Sequence, residues 1–178
     1  MTASQTIEGS LGTDCVGRVE FFPWKDRIAH RVEIRRGGAS QMWESVEGDQ
    51  QQNWPPSPPF QDISIERIHE SNVALLVGMA GKSHWSLSVD IDAERGSIRF
   101  DVACRIADVA EQLRSSYRGP TAAAMDTPVV AGLGSTLRQL DDTWCIEPEA
   151  IDNPNATVRW MYEFCSGPSV NEFAASET

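Results

Sequence analysis

SHWSLSVDIDAERGSIRFDVACRI, residues 83–106, alternates apolar and polar side chains with a period of two on both sides of a short polar stretch. Successive side chains of a β-strand point to opposite faces, so this alternation is typical of a strand that buries one face. The intervening residues 92–96 are polar and end in glycine, as a tight hairpin connection favours. Residues 83–106 therefore predict an antiparallel hairpin that directs Trp85 and Phe100 inward.

Similar patterns recur along the rest of the chain. Further strands are predicted at residues 16–22, 28–35, 63–69, 73–79 and 158–165, with shorter candidates at residues 41–46, 135–140 and 143–147. Residues 73–79 are apolar at nearly every position, which predicts a central strand covered on both faces. Asp108 is a suitable N-cap for one short helix that reaches Tyr117. The pattern predicts an all-β domain, or a β-rich domain with one short helix, built as an antiparallel barrel or sandwich of eight or nine strands.

The chain has the size of one domain, at 178 residues. We expect a single β-rich domain over residues 1–165 and a disordered polar tail over residues 166–178. Residues 48–59 are rich in glutamine and proline and favour extended polyproline geometry. Such a segment either binds an aromatic groove on another protein or covers strand edges of its own chain.

Composition and charge exclude several classes of function. The net charge of −11 argues against binding to nucleic acid or to an anionic membrane surface. The longest apolar run is far shorter than the ~20 residues that a membrane-spanning helix needs. The four cysteines are widely spaced and no secretion signal precedes them, which predicts reduced thiols in the cytoplasm.

The motifs that resemble cofactor sites fail on spacing. Only two residues separate Gly78 from Gly81, whereas a phosphate-binding loop needs four, and the segment after Ser83 is a predicted strand. Residues 90–96 offer alternating carboxylates, but Arg95 stands where a calcium loop needs glycine. The three histidines have no metal-binding spacing. No cofactor and no metal are predicted.

Two sets of residues remain as site candidates. His84, with Asp101 or Asp90 as its carboxylate partner, would supply a general acid/base pair for a small hydrolase or isomerase. Trp24 and Trp54 lie in a predicted turn and in the proline-rich stretch, where aromatic side chains serve as anchors for a ligand. Ligand-binding candidates are Trp24, Trp54, His84 and Arg99.

The absence of a catalytic motif favours a non-catalytic cytoplasmic β domain that binds a small-molecule ligand or a protein partner. Homodimerisation through an edge strand or an aromatic patch is the expected mode of self-association. The alternative is the hydrolase or isomerase built on His84. The surroundings of His84 distinguish the two hypotheses, because acid/base catalysis needs a carboxylate and a concave pocket beside it.

Overall fold

The computed structural model describes residues 3–120, 129–151 and 155–166. Within these ranges the chain forms thirteen β-strands and no helix. The strands are β1 (Gln5–Ser10), β2 (Cys15–Trp24), β3 (Arg27–Arg36), β4 (Ala39–Ser45), β5 (Phe60–Ile68), β6 (Ser71–Ala80), β7 (Ser83–Asp92), β8 (Ser97–Arg105), β9 (Ser115–Arg118), β10 (Val129–Ala131), β11 (Ser135–Leu140), β12 (Thr143–Pro148) and β13 (Thr157–Cys165). The all-β prediction is therefore confirmed.

The strands form two antiparallel sheets. Sheet A has seven strands in the order β1-β2-β3-β4-β9-β12-β11, and sheet B has six in the order β10-β13-β8-β7-β6-β5. Neither sheet closes on itself, so the architecture is sandwich-like rather than a barrel. The strand count exceeds the predicted eight or nine in part because short strands such as β9 and β10 carry too few residues to show an alternation.

The core lies between the inner faces of the two sheets. Sheet A contributes Val19, Val32 and Trp43, each at most 1% exposed, and sheet B contributes Phe100 and Trp160, which are fully buried. Because each inner face takes every second residue of its strands, the two sheets interdigitate large side chains in one continuous layer.

The predicted hairpin of residues 83–106 is confirmed. Strands β7 and β8 pair from Asp92↔Ser97 to His84↔Arg105. Trp85 is 2% exposed, whereas its neighbour His84 is exposed to solvent. The period-two pattern thus places alternate side chains in the core and on the outer face of sheet B.

Strand β6 differs from its prediction. It lies between β5 and β7, but it buries only one face: Leu76 is 1% exposed, whereas Leu75, Val77 and Met79 are 37%, 53% and 50% exposed. A two-layered sandwich covers each sheet on one side only. The outward-facing apolar residues of β6, Leu75, Val77 and Met79, therefore have no protein layer above them in the described part of the chain.

The predicted helix of residues 108–117 is wrong. Its last residues instead begin β9, which pairs with β12 and, at its end, with β4. Leu113 and Tyr117 are buried in the core. Ten residues form at best a marginal helix alone, so burial of these side chains in the core decides the conformation.

The proline-rich segment, residues 48–59, is bound to its own chain. The Ser57 hydroxyl donates to the Ser116 carbonyl and accepts the Ser116 N–H, both at 3.1 Å, and the Ser116 hydroxyl donates to the Pro56 carbonyl at 2.7 Å. The Ser57 side chain thereby satisfies both backbone groups of Ser116 on β9, as the backbone of a neighbouring strand would. Pro58 and Pro59 are buried, and the segment covers a strand of its own chain.

The described residues include no helix that is long and apolar enough to span a membrane. All four cysteines have free thiols. The predicted C-terminal tail, apart from Ser166, falls outside the described residues.

Candidate functional site

The outward-facing side chains of β5, β6, β7, β8 and β13 form ordered rows across sheet B, which we call the open face. Cross-strand pairing defines the rows. The first row is Met79, His84, Arg105 and Thr157; the second is Asp62, Val77, Ser86, Ala103 and Arg159; the third is Ser64, Leu75, Ser88, Asp101 and Met161.

The open face carries an apolar ridge beside a line of small side chains. The apolar ridge is Leu75, Val77 and Met79 on β6. The adjacent furrow is formed by small side chains on β7 and β8: Ser86, Ser88 and Ala103. At one end of the furrow is an open groove of about 580 Å³, lined in part by His84 and Arg105. The relief therefore comes from the contrast between long side chains on one strand and short ones on the next.

Packed tryptophan rings and a close backbone approach form the floor beneath the groove. Trp85 lies under it, between the rings of Trp54 and Trp160, at centroid distances of 6.2 and 6.1 Å in edge-to-face geometry. A Cβ on Gly78 would lie 2.0 Å from the Pro59 carbonyl oxygen, so only glycine permits the backbone before β5 to cross β6 at this point. The groove is thus shaped by backbone and large buried rings.

The structure does not bring His84 together with either predicted carboxylate. His84 pairs across the strands with Arg105, whereas Asp101 opposes Ser88, four positions or about 13 Å along β7. Asp101 is bound instead by Arg159, whose guanidinium donates a hydrogen bond to each of the two carboxylate oxygens.

Asp90 is bound elsewhere in the same way. The Arg99 guanidinium donates from Nε and Nη2 to its two oxygens, at 3.1 Å each. Among the described residues, His84 has no hydrogen bond or ion pair. A base oriented by a carboxylate is therefore missing from its surroundings.

Replacing His84 with alanine should change the free energy of unfolding by no more than about 1 kcal/mol, because the exposed imidazole has no polar contact to lose. Urea denaturation at neutral pH measures this change. A loss above about 2 kcal/mol would show that the imidazole has a buried bonding partner.

The aromatic candidates lie in different places. Trp24 ends β2 and is 43% exposed, with the Lys25 ammonium 5.8 Å from its ring centroid. Trp54 is half-buried and packs against Trp85 as a cover on the core. Arg99 is bound to Asp90. The four predicted ligand-binding residues therefore do not converge on one pocket.

A buried polar cluster inside the sandwich escaped the sequence prediction. The Nε2 of His30 is 2.6 Å from the Tyr117 hydroxyl, which is 2.7 Å from the Tyr162 hydroxyl. Burial lowers the pKa of His30 to about 3 and raises the pKa values of both tyrosines. Alternation in residues 28–35 was the available signal, since it places His30 on the inner face of β3.

Glu47 lies next to this cluster, one residue before the proline-rich segment. The Ser45 hydroxyl donates to Glu47 Oε1 at 2.6 Å and accepts the His30 backbone N–H at 2.9 Å. Burial raises the pKa of Glu47 to about 7, and the Ser45 hydrogen bond opposes that shift. Glu47 Oε2 and His30 Nδ1 are buried without a hydrogen-bond partner within the described part of the chain. The cluster is enclosed by the core, which is the geometry of a structural network.

Neither metal ligands nor relatives add to this description. In residues 3–120, 129–151 and 155–166 no three His, Cys, Asp or Glu side chains are grouped so that they could hold a metal ion. Comparison with protein families, curated proteins and solved structures finds no match.

Proposed function

We propose that this chain is a non-catalytic assembly module that binds a second copy of itself through the open face of sheet B. The apolar ridge carries the proposal. Leu75, Val77 and Met79 are 37–53% exposed and adjacent on one face, although β6 is an interior strand of its sheet. Scattered exposed apolar residues are ordinary, but a contiguous row of three is typical of a protein-binding surface.

The shape of the open face favours a protein over a small molecule. The ridge runs along β6 from Leu75 to Met79, a rise of about 13 Å, and its side chains are longer than those of Ser86 and Ser88 beside it. Small-molecule sites are concave and enclose most of their ligand, whereas the groove beside His84 is open to solvent. An extended and open surface of this kind is suited to contact with a second protein surface.

The open face is complementary in shape to itself, which favours a second copy of this chain as the partner. The ridge of β6 and the furrow of β7 lie side by side, so one face presents both the shape and its complement. A two-fold symmetric pair needs this property, because the same patch contributes both halves of the contact. Five strands and three to four rows give a face of about 500 Å² per copy, near the lower limit for a specific interface. We therefore expect a weak dimer.

The chemistry around His84 supports a binding role over catalysis. The imidazole is exposed, its cross-strand neighbour is Arg105, and both candidate carboxylates are bound to other arginines. General acid/base catalysis relies on a positioned pair. Those side chains instead form the charged border of a contact surface.

Sedimentation velocity over a range of about 1–200 μM tests the proposal, since weak transient pairs associate in this range. The wild-type protein should shift from monomer to dimer as its concentration rises. Val77→Asp should remain monomeric, because it places a carboxylate in the centre of the apolar contact. Val109→Asp is the matched control: Val109 is 76% exposed and lies outside the open face, so this variant should dimerise like the wild type.

Two results would contradict the proposal. One is a wild-type protein that stays monomeric throughout the concentration series. The other is Val77→Asp associating as strongly as Val109→Asp, which would place the contact elsewhere. Circular dichroism of both variants verifies that each retains its β-sheet content.

A further inference from the structure

This inference rests on the proposed function. We infer that the two copies are related by a two-fold axis that runs parallel to the strands of sheet B, between β6 and β7. In this arrangement Asp62 of each copy pairs with Arg105 of the other. The order of strands, the heights of the side chains and the distribution of ion pairs on the open face all lead to this arrangement.

Strand order gives the apolar part of the contact. A two-fold axis between β6 and β7 exchanges β6 with β7 and β5 with β8, since neighbouring strands are evenly spaced at about 4.8 Å. Residues of one row remain in register. Val77 of each copy then lies over Ser86 of the other, and Leu75 lies over Ser88. These two long side chains each meet a serine, so the ridge of each copy enters the furrow of the other there, while Met79 meets His84 at the end of the ridge.

The other simple axis gives a poorer fit. A two-fold axis perpendicular to the strands places β6 of one copy on β6 of the other. Val77 then meets the second Val77, while the serines of the two furrows face each other across a gap. Unfilled space at an interface loses dispersion contacts, so this arrangement is less favourable than ridge against furrow.

The charges on the open face agree with the axis along the strands. Exchange of β5 with β8 brings Asp62 into the row of Ala103, one outward-facing position, or about 7 Å, from Arg105. The long and flexible arginine side chain spans such a distance. Asp62 and Arg105 thus form two identical pairs, one on each side of the axis.

These two residues have no competing ion pair in the described structure. Arg99 and Arg159 on the same face are each bound to an aspartate of their own copy. The Arg105 guanidinium forms no such pair, and Asp62 only accepts the backbone N–H of Ile63 through Oδ1. A carboxylate and a guanidinium, exposed on opposite sides of the ridge and furrow, are therefore available for a contact between copies.

Charge reversal with mixing tests the arrangement. Asp62→Arg alone should place arginine against arginine, and Arg105→Asp alone should place aspartate against aspartate. Each variant should dimerise about tenfold more weakly than the wild type in sedimentation velocity. An equimolar mixture of the two should recover dimerisation, because every contact in the mixed pair again joins a carboxylate to a guanidinium.

Glu94→Arg is the matched control, because Glu94 is exposed in the β7–β8 turn, away from the contact. It should dimerise at least as strongly as the wild type, since it reduces the net negative charge of −11. If Val77→Asp abolishes dimerisation but the reversed variants and their mixture behave like the wild type, the inferred axis is wrong and the proposed function stands. If the wild type does not dimerise, both fall.

Discussion

Replacing Trp85 with alanine should lower the free energy of unfolding by about 3–5 kcal/mol. The indole is 2% exposed and lies between Trp54 and Trp160. The variant loses the transfer free energy of the indole, leaves a cavity and removes two edge-to-face contacts worth about 0.5–1.5 kcal/mol each. The Trp85 Nε1 is buried without a partner in the described residues, so its removal returns a small part of this loss.

Urea denaturation monitored by circular dichroism measures the effect, because tryptophan fluorescence itself changes in this variant. Trp24→Ala is the matched control, since it removes the same side chain from a position that is 43% exposed. It should cost no more than about 1 kcal/mol. Similar losses in the two variants would contradict the assignment of the Trp85 side chain to the core.

The hairpin of β7 and β8 could be predicted because its information is local. Residues 83–106 hold two alternating stretches separated by a turn of four residues, 93–96, so pairing partners are close in sequence. The choice between barrel and sandwich depends on distant pairings such as Ser45↔Tyr117 between β4 and β9. No local periodicity encodes such a contact. The sequence therefore supported the fold class and left the architecture open.

The candidate site was hidden by the rule that a continuous apolar run is buried on both faces. Strand β6 follows that composition, yet Val77 and Met79 are exposed. Whether the apolar residues of an interior strand are exposed depends on whether another layer of protein covers that face of the sheet. The sequence of the strand itself does not show how many layers the domain has. His84 was placed correctly on the outer face by alternation, whereas its neighbour Arg105 required the register of β7 against β8.

The helix at residues 108–117 fails for a related reason. The capping residue Asp108 and the spacing of Val109 and Leu113 satisfy a local rule. Val109, however, is 76% exposed, whereas Leu113 is 2% exposed. Tertiary burial of Leu113 and Tyr117 outweighs a helix propensity that amounts to tenths of a kcal/mol per residue.

The buried carboxyl group of Glu47 makes stability depend on pH. Burial raises its pKa from 4.5 to about 7 in the folded protein, because the charged form loses its hydration. The folded state therefore binds more protons than the unfolded state between these values. Stability contributed by the protonated carboxyl is fully present below about pH 4.5 and is lost as the pH rises through about 7.

The neighbours of Glu47 do not remove this effect. Arg27 favours the charged form, but the Arg27 guanidinium is bound to Asp26, whose charge acts in the opposite direction. On the core side, the Tyr117 pKa is raised and His30 is neutral above about pH 3, so neither supplies a positive charge. Among the described residues, only the Ser45 hydroxyl bonds the carboxyl directly.

The wild type should therefore lose about 3 kcal/mol of unfolding free energy as Glu47 ionises, because a pKa that differs by one between the folded and unfolded states corresponds to about 1.4 kcal/mol. Glu47→Gln should remove this loss. Urea denaturation of both proteins from pH 4.5 to pH 8 should show the variant gaining stability relative to the wild type as the pH rises. All other carboxylates titrate in both proteins, so the difference isolates residue 47. A difference that stays constant across this range would mean that Glu47 ionises without cost and that solvent reaches its carboxyl group.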